Sequence, residues 1–317
     1  MDTRFFASKY FAISAVIALV VMGGAAAAWQ LSAVAVKRGS QDGCAAPALG
    51  GSAIDVAPEV TVENDGARRT VVYRLDAASY AGGVLDACSP FGDIDVTPSA
   101  GDEVEITFVV SSRFPAVVDE TMALAELREL DGRVAVAAWV PRVGHGGGLF
   151  GDETARVRLH VRLPDSGAWD LRARSMAGDV RASDLMAREL DLRSSFGDVV
   201  ATGIHLSGNA TLGSSAGDVI LALKSVQTAH IKATSSFGDV EVEAPQRADV
   251  GYDVSGDTNL GEVTLRIGPT EEHTSDSTGV GERESARSVG FASKPTRVTI
   301  VASSSAGDIR VVATGSS

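Results

Sequence analysis

The hexapeptide Ser-Ser-Phe-Gly-Asp-Val stands at residues 194–199 and again at 235–240, with Ser-Ser-Ala-Gly-Asp-Val at 214–219 between them. A serine beside a carboxylate in a glycine turn suits three chemistries: nucleophilic hydrolysis, metal coordination and acid-assisted cleavage of a glycan. For hydrolysis, GSSAG at 213–217 has the form of a nucleophile elbow, and HGGG at 145–148 has the form of an oxyanion-hole segment. An elbow turns from strand into helix, whereas the DVILAL after Gly217 alternates like a strand. The sister copies read RSSFG, TSSFG and SSSAG, so the leading glycine belongs to one copy alone. For calcium, the candidate ligands are Asp198, Asp218 and Asp239. Each repeat offers one carboxylate, and an aspartate in a turn ordinarily accepts backbone N–H groups. Stacked carboxylates about 5 Å apart repel, which a bridging cation would relieve. For glycan cleavage, acids must cluster on one outward face, but the residues there are Arg181, Val200, Ile220, Glu241 and Arg310. The histidines at 145, 160, 205, 230 and 273 are scattered. No catalytic residue, cofactor or dedicated metal site is expected, and the chain is read as a non-enzyme.

The elements that position the motif emerge when the chain is aligned on the glycines at 92, 178, 197, 217, 238 and 307. Three residues before each stands serine, and directly after each stands aspartate. Positions five and seven before the glycine, and two and four after it, are small or apolar, while those between them vary freely. This is the period of two that strands with one buried face show. A degenerate copy runs from Val254 to Leu265, with Thr258 for serine and Glu262 for aspartate. The aspartates at 179, 198, 218 and 239 are spaced by 19, 20 and 21 residues, room for two short strands and two turns. The spacing predicts an all-β, parallel β-solenoid with coils of about 20 residues stacked in chain order; an antiparallel sandwich is the alternative. In the solenoid, Ser194, Gly197 and Asp198 form a structural corner. So do Ser214, Gly217 and Asp218; Ser235, Gly238 and Asp239; and Ser304, Gly307 and Asp308. Glycine supplies the backbone angles, aspartate satisfies the corner's amides, and serine bonds the adjacent coil. The residue before the glycine runs Ala177, Phe196, Ala216, Phe237 in successive units. Stacking would lay each ring over a methyl group, so Phe196→Ala is expected to leave a cavity costing about 3 kcal/mol.

Around the repeats the chain divides into four parts: 1–36, 37–58, 59–165 and 166–317. The first contains an uncharged run, Phe11 to Val36, between Arg4/Lys9 and Lys37-Arg38. It reads either as a membrane anchor or as a signal peptide cleaved near Ala28, and both export the downstream chain. Residues 37–58 read as a flexible linker. Residues 59–165 read as strands around one short helix at Val118–Gly132, with a glycine-rich loop at Gly144–Asp152. Residues 166–317 carry the repeats, interrupted by a polar loop at 268–289. An oxidising compartment would allow Cys44 in the linker to pair with Cys88 at the first corner. The net charge of −13 opposes binding to phosphate backbones, so nucleic acid is excluded as a partner.

The units SSFGDV, SSAGDV and SSAGDI resemble the bacterial DUF4097 family of adhesin-like domains. So does the upstream order of FGDIDVTPSAGDEVEITF, a short helix, then RVRLHVRLPDSGAWDLRARSMAGDV. The resemblance runs over residues 80–317. It implies an exported, parallel β-helix-like domain behind a membrane segment, without catalysis and without assigned functional residues. The expected function is that of a cell-envelope adhesin-like binding or scaffold protein, presenting a solenoid face to a glycan, matrix or protein partner. The alternatives are an envelope-stress sensing accessory anchored in the cytoplasmic membrane through residues 11–36, and a polysaccharide-acting β-helix enzyme.

Overall fold

Alternation commits this chain to strands, and the computed structural model shows how they are paired. It describes residues 52–80, 84–89, 92–123, 126–130, 133–137, 155–165, 167–277 and 279–315. The apolar run at 11–36, Cys44 and the loop at 144–152 lie outside these residues. Among the described residues no helix is long and apolar enough to cross a membrane.

The repeat units form parallel layers of a first and a second strand, joined by a Gly-Asp corner in layers 2 to 7 and by Gly261-Glu262 in layer 8. In stacking order, layer 1 is Arg133–Ala137 with Arg156–Pro164, and layer 2 is Val84–Ser89 with Ile94–Ser99. Layer 3 is Trp169–Ala177 with Val180–Ser183, and layer 4 is Met186–Phe196 with Val199–Leu206. Layers 5 and 6 are Ala210–Ser214 with Val219–Val226, and Ala229–Phe237 with Val240–Gln246. Layer 7 is Thr296–Ala306 with Ile309–Gly315, and layer 8 is Val250–Thr258 with Val263–Arg266. Leu85, Leu171, Leu192, Leu212, Ile231 and Ile300 from the first strands are buried, as are Ile94, Val180, Val199, Val219, Val240 and Ile309 from the second. Together they build one continuous apolar core between the two strand columns.

Stacking in chain order holds only for layers 3 to 6. Layer 2 precedes layer 1 in sequence yet lies between layers 1 and 3, and the C-terminal layer 7 is inserted between layers 6 and 8. All layers share one register, so alternation and corner spacing do not encode which layer comes after which.

Three other expectations are corrected. The helix spans Pro115–Ala123, and Glu126–Leu130 is instead a strand antiparallel to Arg133–Ala137. Pro115 fits the first helical position, where a missing N–H is harmless. The ELREL segment after the helix is too short for periodicity to separate helix from strand. Residues 37–58 are not linker throughout: Ser52–Ala53 pairs with Glu126–Leu130, and Ile54 and Val56 pack on the core. The polar segment at 268–289 is not an extruded loop. It is an antiparallel hairpin, Thr270–Ser277 with Glu282–Ser288, whose second strand pairs with Val250–Thr258 of layer 8.

That hairpin caps the stack. In layers 2 to 7 the corner glycine N–H donates to the carbonyl of the residue before the next layer's glycine; Gly307, for example, donates to Leu260 at 2.9 Å. Layer 8 has no successor, and Gly261 donates instead to Val280 of the hairpin at 3.3 Å. Val199 N–H and its equivalents donate to the next layer's acid carbonyl, whereas Val263 N–H donates to Glu282 Oε2 at 2.9 Å. The opposite end is closed by antiparallel strands Glu59–Glu63, Arg68–Asp76 and Glu103–Ser111, which extend the second-strand column beyond Arg156–Pro164.

Candidate functional site

The Gly-Asp corner, the motif with most chemical promise, is bonded along the stack. Ser194, Ser214, Ser235 and Ser304 are buried, and each Oγ donates at 2.8–2.9 Å to the glycine carbonyl of the preceding layer. Thr258 does the same to Gly307 at 2.9 Å, so threonine there keeps serine's bond. Each aspartate Oδ1 accepts the backbone N–H of the acid one layer on, from Asp198 to Asp179 (2.9 Å) through Asp308 to Asp239 (2.8 Å). Aspartate thus satisfies the amide of the neighbouring layer rather than one of its own turn. Asp308 accepts from Glu262 at 2.9 Å, and Glu262, with no ninth layer above it, need not be aspartate. Glycine is required twice over. Gly217 has φ +148°, and a Cβ there would lie 2.3 Å from the Gly197 carbonyl oxygen.

This arrangement is not that of a nucleophile elbow. Ser214 spends its proton on a backbone carbonyl, and the chain after Gly217 continues as strand Val219–Val226, not the helix an elbow requires. The HGGG segment lies outside the described residues. Four histidines sit on separate elements: His160 lies 3.3 Å from Asp95, His205 Nδ1 is 2.8 Å from Ser225 Oγ, His230 is on layer 6, and His273 contacts Glu284 at 2.5 Å. Among the described residues no group of three or more His, Cys, Asp or Glu is placed to hold a metal ion. Arg181, Val200, Ile220, Glu241 and Arg310 do align across the second-strand column, where Arg310 ion-pairs with Glu241. Cys88 is buried and is not a free thiol; Cys44 lies outside the described residues.

The corner presents one feature that alternation hid. The residue before each glycine forms a row along the edge of the stack: Ala177, Phe196, Ala216, Phe237, Ala306, Leu260. Large and small alternate without a break, and they do so in stacking order, not in chain order. The large members are not packed over their neighbours. Phe196 is 41%, Phe237 60% and Leu260 54% exposed, so the expected cavity on truncation of Phe196 is withdrawn. The row sits on the outside of the turn, where a side chain leaving the backbone has no facing sheet to meet. Asp198, Asp218, Asp239 and Asp308 stand two residues further along the chain, and none forms an ion pair among the described residues. Phe91 holds the same sequence position before Gly92 but lies outside the described residues.

Residues 159–312 match the model of the Toastrack DUF4097 family. Among solved structures, a "putative cell adhesion protein" from Clostridium sporogenes is 9% identical with a TM-score of 0.46, covering 81% of this chain and 100% of its own. A "putative adhesin" from Bacteroides fragilis is 12% identical with a TM-score of 0.38, covering 77% of this chain and 97% of its own. A "putative lipid binding protein" from Parabacteroides distasonis is 10% identical with a TM-score of 0.33, covering 78% and 98%. No curated protein matches the chain in sequence.

Proposed function

We propose, from the premise that this chain belongs to the Toastrack DUF4097 family over residues 159–312, that it is a non-catalytic, adhesin-like binding protein of the cell envelope. The observation that carries this reading is the exposed row of Phe196, Phe237 and Leu260 on the corner edge. Scattered apolar residues on a surface are ordinary, but an ordered line of them beside polar rows marks an interaction site. The corner serine hydroxyls and one oxygen of each corner aspartate are taken up by bonds between layers, which leaves the second carboxylate oxygen and the side chains outside those bonds to meet a partner. The layers form a solenoid that holds such side chains at fixed intervals, as repeat proteins do on their binding surfaces. Export through the apolar run at 11–36 would place the edge outside the cytoplasm.

The test is co-sedimentation of the full-length chain with isolated cell-envelope material. The wild type should pellet with it, and Phe196→Ala/Phe237→Ala should at least halve the bound fraction. Undiminished pelleting of the double variant would remove the corner edge from the reading.

A further inference from the structure

The exposed row has a period as well as a character. Large side chains occupy every second layer, so Phe196, Phe237 and Leu260 recur about 9.6 Å apart, twice the strand spacing. Ala216 and Ala306 leave notches between them. Polar rows flank the apolar one. On the first-strand side stand Ser215, Ser305 and Asn259, all exposed. On the second-strand side stand Asp218, Asp239 and Asp308, exposed, each with Oδ1 bound to a backbone N–H and no ion pair among the described residues.

We propose that this edge binds a β-1,4-linked glycan, neutral or amino-substituted, laid along the stack with alternate sugar rings against Phe196 and Phe237. The proposal rests on the reading of the corner edge as the binding surface and names the ligand class. In a β-1,4-linked chain of pyranose rings each ring is flipped by half a turn relative to the last. The same ring face therefore recurs at every second sugar, a repeat close to two layers of this stack. The C–H face of each such ring lies on a phenyl ring, an apolar contact with the aromatic face. Ring hydroxyls point sideways, where carboxylate and serine oxygens accept them.

Other linear polymers fit less well. Like-facing side chains of an extended peptide recur at about 6.7 Å and fall out of step with the row within two layers. A polyproline helix repeats at about 9.3 Å and does keep step. However, ionised carboxylates only accept hydrogen bonds, and a proline-rich backbone has few N–H groups to give. Sugar hydroxyls and ammonium groups supply donors at every ring. A polyuronate is opposed by the unpaired aspartate row and by the net charge of −13.

Calorimetric titration of the full-length chain with cellohexaose, N-acetylchitohexaose and its de-N-acetylated form tests this, with hexaguluronate and a proline-rich peptide alongside. At least one of the three β-1,4-linked hexasaccharides should bind, at least tenfold more tightly than its disaccharide. Phe196→Ala/Phe237→Ala should weaken that binding at least tenfold while leaving the melting temperature unchanged. Failure of all three hexasaccharides to bind, binding that survives the double substitution, or equal binding of hexaguluronate would overturn the proposal. So would a proline-rich peptide that binds where no hexasaccharide does. If envelope co-sedimentation still depends on the two phenylalanines while no hexasaccharide binds, the ligand class falls and the binding edge stands. If co-sedimentation ignores them, both fall.

Discussion

At the residue scale, the corner shows why one Ser-x-x-Gly-Asp motif recurs although its residue types suit catalysis. Serine, glycine and aspartate each make one bond or one clearance with the adjacent layer, and a substitution is felt through that neighbour. The strictest demand falls on glycine. Gly217→Ala would force a side chain into the left-handed φ region and drive its Cβ to 2.3 Å from the Gly197 carbonyl oxygen. Because that oxygen belongs to backbone held by two layers, it cannot swing aside. Destabilisation of about 3 kcal/mol or more is expected in urea denaturation; a loss under about 1 kcal/mol would show that the corner relaxes. The three positions were legible from the sequence because a column repeated at one offset names its own constraint, but aspartate, expected to serve its own turn, serves the neighbouring layer's amide instead. The exposure of Phe196 was not legible. A residue adjacent to a buried column has no period of its own, and whether it turns in or out is decided at the bend, where alternation stops.

At the element scale, strands were legible and their ends were not. Long alternating runs such as RVRLHVRLP fix both strand and buried face, since Val157, Leu159, Val161 and Leu163 all point inward. The hairpin at 270–288 was illegible for the opposite reason: the strand Thr270–Ser277 is exposed at every position and carries no apolar alternation. Its partner Glu282–Ser288 does hide one face, Glu284, Ala286 and Ser288, but two of those three are polar. The function of the hairpin is read instead from the bonds it replaces. Glu282 supplies, from a side chain, the acceptor that every other layer finds in its successor's backbone, and it also accepts from Ser275 Oγ at 3.3 Å. Glu282→Ala leaves the N–H of buried Val263 without a partner, a loss of about 1–3 kcal/mol. Glu282→Gln retains a carbonyl oxygen and should recover most of it. Amide exchange at Val263 checks the mechanism: it should quicken in the alanine variant and stay near wild type in the glutamine one.

At the scale of the whole described stack, the transposed layers carry the most consequence. In a regular solenoid the last residues form the last coil, and removing them frays one end. Here residues 296–315 lie between layers 6 and 8, and Val298, Ile300, Ala302, Ile309 and Val311 are buried from both sides. A chain ending at residue 295 therefore has an apolar gap in its interior, not a shorter end. The corner bonds suggest how it closes. The Thr258 hydroxyl and the Glu262 N–H are the counterparts in layer 8 of the Ser304 hydroxyl and Asp308 N–H that now donate to layer 6, and the Gly238 carbonyl and Asp239 carboxylate do not distinguish between them. Tyr252 of layer 8 already reaches past layer 7, its hydroxyl donating to the Pro245 carbonyl at 2.5 Å. Deletion of 296–317 is therefore expected to bring layer 8 down onto layer 6, giving a stack one layer shorter with the hairpin still in place. Hydrogen exchange should retain protection across 250–258 and 263–266 while global stability falls. Rapid exchange throughout 250–288 would show instead that layer 7 is specified by more than the shared corner. In the shortened stack Leu260 would stand directly beside Phe237, breaking the alternation of large and small. If the exposed row reads its ligand by a two-layer period, that variant keeps the rings of Phe196 and Phe237 in step and loses only the third position. Its hexasaccharide affinity should then fall by less than that of the double phenylalanine variant.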